Sequence, residues 1–190
     1  MNDPEAPRHL SADEIVAHHE AAHAVIALEL GLGILEIGID LERVAVSGGI
    51  GSDGCRLFLA DLTEVPRHQL DDEQKRLSGH IDVNGTVLAA GPASDAKLLS
   101  EDPWTALHKQ HSDLTVMRQL LQRAKLDETE EGVESHLRNQ LGLAVEALEE
   151  AAVWATVEAV AAAVLSRGPL SGPEIEAIAE PLLKAPSARS

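Results

Sequence analysis

The stretch from Leu10 to Gly31 constrains the fold more than any other part of the chain. Ser11 followed three residues later by Glu14 is a capping box, Leu10 and Ile15 are spaced for a hydrophobic staple, and Gly31 supplies a stop. The segment between them therefore reads as a helix. At roughly 100° per residue, Ile15, His19, Ala22, His23, Ile26 and Leu30 fall on one apolar stripe. Two members of that stripe are histidines four residues apart. A buried imidazole without a partner is costly, so whatever packs on this helix must give His19 and His23 something to share.

The same stretch contains "HHEAAH" at residues 18 to 23, in which His19, Glu20 and His23 form H-E-x-x-H. Nine histidines in the chain make a chance match about 4% probable, so placement carries more weight than the match. Side chains at i and i+4 project from one face of a helix and can share a tetrahedral metal. Glu20 lies at the edge of the stripe, where a carboxylate that is not a ligand can act on water. The plain alternative is a pair of core histidines satisfied by carboxylates or carbonyls. His18 falls outside the stripe and reads as surface. Catalytic zinc usually takes three protein ligands, and the extended motif with a third histidine is absent, because Ile26 and Glu29 stand where it needs Gly and His. The segment "HKQHSD" offers His108, His111 and Asp113 where a helix begins, although Asp113 also suits the first turn of that helix.

At 190 residues the chain is expected to form one domain, residues 11 to 184, with flexible ends at 1 to 10 and 185 to 190. Its apolar residues are mostly Ala, Leu, Val and Ile; aromatics are 2% and Tyr is absent, which favours packed helices. The runs "ILEIGIDLERVAVS" and "RLFLA", separated by the glycine-rich residues 48 to 54, predict a small sheet over residues 34 to 60. The fold class is thus mainly α-helical with a small β-sheet in the N-terminal third. Residues 71 to 99 read as helical with a break or kink at Gly91-Pro92. "SEDPWTALHKQ" reads as a loop, residues from 112 onward as a helix, and an Ala-rich stretch as one long helix ending at Ser166. Ser171 and Glu174 form a second capping box.

A formal charge of -17 argues against nucleic acid and anionic membrane surfaces, which need Lys and Arg. The lone Cys55 excludes an internal disulfide. No apolar leader opens the chain, and the longest apolar run, Ala151 to Leu165, contains Glu158 and is too short to span a bilayer. A cytoplasmic protein with no membrane insertion is expected.

"HHEAAHAVIALEL" resembles the "HEAGHA" helix of FtsH-type peptidase domains, the proteolytic half of membrane-anchored AAA+ zinc proteases. "NGTVLAAGPASDAKLL" looks like that family's Gly-Arg-Ala-Ala-Glu-Glu-Leu segment, "HSDLTVMRQLL" like its segment bearing a zinc-ligand Asp, and "LSGPEIEAI" like its closing helix, all in the family's order. The resemblance implies a zincin-like domain with Zn2+ held by His19, His23 and Asp113, and Glu20 as catalytic base. It departs in three places: no ATPase motif is present, Ala22 replaces a Gly, and the segment at Gly91 lacks the Arg and paired Glu. The expected activity is ATP-independent hydrolysis of peptide bonds in unfolded or flexible polypeptides, with a homo-oligomer or a separate ATPase as the partners left open. An extended substrate would add as a strand to the sheet. The alternative is a non-catalytic peptide-binding module keeping the metal as structure.

Overall fold

Helix α1 (Ala12–Glu29) starts where the capping box places it: the Glu14 amide donates to the Ser11 hydroxyl at 3.2 Å, and the Ser11 amide donates to the Glu14 carboxylate at 2.8 Å. It ends at Gly31, whose φ of 76° is open to glycine at little cost. There the Leu32 amide reaches back to the Ala27 carbonyl at 2.8 Å, closing the helix end. A computed structural model describes residues 10–32, 34–37, 55–57, 70–124 and 129–184 of the chain. The predicted glycine-rich segment, residues 38 to 47 of the first β-rich run and both ends lie outside the described residues.

The single apolar stripe expected on α1 is too narrow. Every residue from His19 to Ala27 is buried, while Leu30 is 42% exposed. The reason is the packing of α1 between two helices, α2 (Leu70–Leu99) and α6 (Ala151–Arg167). Many of the core residues on these three helices are alanines, among them Ala17, Ala21, Ala24, Ala89, Ala90 and Ala161, whose small side chains let packed backbones approach closely. Ala22 is completely buried, and its methyl fits where the resemblance has glycine. His18 is not a plain surface residue: it is partly buried, bonded through Nδ1 to the Glu14 carbonyl at 2.7 Å, with its ring stacked 6.1 Å from that of Trp154.

Helix α2 is 30 residues long, about 45 Å at 1.5 Å per residue, and runs unbroken through Pro92. Of the break or kink expected at Gly91-Pro92, the break does not occur. Proline lacks the amide that would close on the Leu88 carbonyl, and tight packing of Ala89, Ala90 and Ala93 on both sides holds the helix in place. The segment read as a loop contains α3 (Pro103–Lys109), with Asp102 accepting from the Thr105 amide at 2.8 Å and Pro at the first position, an arrangement favourable for a helix start. After α4 (His111–Ala124), the expected long Ala-rich helix is two, α5 (Glu130–Glu149) and α6, divided at Glu150, which is extended with φ -65° and ψ 123°. The second capping box starts α7 (Gly172–Leu183) as expected.

The protein is mostly helical, and the predicted sheet is not supported as a layer of the fold. Among the described residues it amounts to β1 (Ile34–Ile37), β2 (Cys55–Leu57) and β3 (Leu170–Ser171) in the order β2-β1-β3, antiparallel. One strand comes from the C-terminal part of the chain, because the entry to α7 crosses β1 at Glu36 and Ile37.

Candidate metal centre

Three helices meet at His19 and His23. Helix α1 presents both imidazoles, with 7% and 1% of their surface exposed. Helix α4 contributes Asp113 from its first turn, fully buried. Helix α2 passes both rings at Gly91, where a Cβ would stand 2.4 Å from His19 Nε2 and 2.5 Å from His23 Nε2. No side chain fits there. One nitrogen from each ring and a carboxylate oxygen of Asp113 all lie within 4.8 Å of one another, and this buried group could hold a metal ion.

The far nitrogen of each ring is anchored. His23 Nδ1 lies 2.7 Å from the Val87 carbonyl, an acceptor only, so Nδ1 carries the proton and Nε2 keeps its lone pair. That Nε2 has no hydrogen-bond partner among the described residues and stands 3.7 Å from Asp113 Oδ1. A buried lone pair facing a carboxylate oxygen leaves two acceptors opposed, and a cation between them resolves the conflict. His19 is anchored likewise, with Nδ1 2.9 Å from Asp95 Oδ2, but its Nε2 is itself hydrogen-bonded to Asp113 Oδ2 at 3.1 Å. Anchoring one imidazole nitrogen to a carbonyl or carboxylate so that the other faces outward is how proteins orient histidines on metals. The donor set of two imidazoles and one carboxylate therefore fits a divalent transition metal.

Burial opposes a charge on His19. Hydrogen bonds to Asp113 and Asp95, with the charges of Asp95 and Glu20, outweigh it and push the imidazole up to about 10. For His23 burial prevails over the pull of Asp113, with His19 adding repulsion, and its pKa is lowered. A proton and a metal thus compete for His19 Nε2, while His23 offers its lone pair readily. Glu20, 4% exposed, acts on His19 through its charge.

Of the residues singled out in the sequence, the structure brings together His19, His23 and Asp113, with Glu20 beside His19. His108 and His111 are exposed, and His108 Nδ1 bonds the Trp104 carbonyl at 2.9 Å. Four contributors escaped the sequence reading: the Val87 carbonyl, Asp95, Gly91 in its role as a gap, and Gln110, whose Nε2 donates to Asp95 Oδ2 at 2.7 Å. Asp95 lies in the segment that looked depleted of acidic residues beside the family resemblance. The only cue to it was its spacing, four residues after Gly91 on the same helix face. The chain matches no protein-family model and no curated protein.

Proposed function

We propose that the protein is a zinc-dependent peptidase acting on flexible or unfolded polypeptides. The observation that carries this reading is the pair of buried, anchored imidazoles turned with Asp113 toward one point, beside a glutamate that a purely structural site does not need. When bound, zinc supplies Lewis acidity toward water and toward the scissile carbonyl. Asp95 and the Val87 carbonyl hold the two rings in the tautomer that presents Nε2. Gly91 keeps the space between the rings clear. The Glu20 carboxylate accepts a proton from the attacking water and delivers it to the leaving amine. With no Tyr in the chain, backbone amides or the cation must stabilise the oxyanion.

A second reading is favoured by burial: His19, Glu20, His23 and Asp113 are each no more than 7% exposed, and structural metal sites are closed whereas catalytic ones keep a position open. In that reading the zinc fastens α1, α2 and α4 together and no bond is cleaved. Cleavage of an unfolded casein by the zinc-loaded protein separates the two. The peptidase reading expects Glu20→Gln to retain zinc and lose activity by roughly 100-fold or more. Undiminished cleavage by Glu20→Gln contradicts it, and zinc-loaded wild-type protein with no cleavage supports the structural reading.

A further inference from the structure

Gln110 is the one residue between α3 and α4. Its amide closes α3 on the Ala106 and Leu107 carbonyls at 3.3 and 3.2 Å, and its carbonyl accepts from the Leu114 amide at 3.2 Å, opening α4. Its main chain therefore sets where α4 begins, three residues before Asp113. Its side chain reaches the other way, to Asp95 on α2. The Gln110 Nε2 and His19 Nδ1 groups both donate to the same oxygen, Asp95 Oδ2, at 2.7 and 2.9 Å. The second oxygen, Asp95 Oδ1, is buried and has no hydrogen-bond partner among the described residues.

That asymmetry makes Gln110 matter. If its amide is removed, the histidine that Asp95 orients becomes the remaining side-chain donor to Asp95 among the described residues, and nothing else among them fixes the plane of the carboxylate. We infer that Gln110 is a positioning residue for the metal: it locks Asp95, Asp95 locks the His19 ring, and the same joint places Asp113. One uncharged side chain thereby ties two ligands from different helices to a common frame. The inference rests on the reading of His19, His23 and Asp113 as metal ligands. It goes beyond that reading by assigning affinity and coordination geometry to a residue that touches neither the cation nor a ligand.

The test uses Co2+ as probe on the full chain, in wild type, Gln110→Leu, Asp95→Ala and the double variant. Leucine keeps the bulk and the joint but removes the donor. Outer partners of metal ligands affect affinity by about 10- to 100-fold, and for Gln110, one step further out, a loss near tenfold is expected, with a changed visible absorption band of the bound Co2+. In Asp95→Ala the added Gln110→Leu change should have no further effect on Co2+ affinity, because the link it acts through is gone. A purely structural role would instead lower the melting temperature of metal-free Gln110→Leu and leave the Co2+ spectrum unchanged. Wild-type affinity and spectrum in Gln110→Leu, or the same loss in both backgrounds, overturns the inference. Failure of wild type itself to bind Co2+ overturns the underlying metal reading.

Discussion

At the scale of single residues, the two histidines of the H-E-x-x-H motif behave differently despite sharing a helix face. For His19, burial is outweighed by the hydrogen bonds to Asp113 and Asp95, which push it up to about 10; for His23 burial prevails and its pKa is lowered. The consequence for the metal-free protein follows from linkage. His19 binds its proton more tightly folded than unfolded, where the ordinary value is about 6.5. Its stabilising contribution is complete below about 6.5 and is lost as pH rises toward 10. Melting temperatures of chelator-treated protein and of His19→Gln should therefore converge between pH 6.5 and 10, with wild type losing its advantage. A gap that widens with pH in this window contradicts the assignment. With zinc present the dependence reverses, since protons compete with the cation for His19 Nε2 and weaken binding as pH falls.

At the scale of elements, the site exists because α1 and α2 pack backbone to backbone. Gly91→Ala is expected to weaken zinc binding by at least about tenfold, since its Cβ falls 2.4 to 2.6 Å from atoms of both ligand rings; equilibrium titration with zinc measures it. Gly142→Ala in α5 is the contrast, because its Cβ meets nothing within 4 Å. It should leave zinc affinity unchanged and add about 0.5–1 kcal/mol of stability. Equal zinc affinity in all three proteins would remove Gly91 from the site. The two capping boxes and the Gly31 stop were legible because each is encoded within a few neighbouring residues. The division at Glu150 was not, as no glycine or proline marks it and its extended backbone is set by tertiary packing. At Pro92 the alternatives of two helices or one were settled by packing: its local preference for a break is overridden by the buried alanines around it. For the site, i,i+4 spacing exposed His19 and His23, and Asp113 was one of three candidates near a helix start. Asp95 and Gln110 were hidden, since their role depends on how α2 meets the α3–α4 joint rather than on any local pattern.

At the scale of the whole molecule, the described residues are mostly helical and build their interior from alanine and branched aliphatic side chains, with a cluster of buried polar groups set between α1, α2 and α4. No helix among the described residues is long and apolar enough to cross a membrane. The candidate ligands His19 and Asp113 lie 94 residues apart, so a metal held there would fasten distant parts of the chain, and its removal should loosen α4 from α1 and α2. The central claim is that His19, His23 and Asp113 hold zinc. Elemental analysis of protein exposed to zinc and then freed of excess, compared with Asp113→Asn of equal helix content, tests it most directly. The account predicts about one zinc per wild-type chain and little or none in Asp113→Asn. Metal-free wild type, or the same zinc content in both proteins, would contradict it.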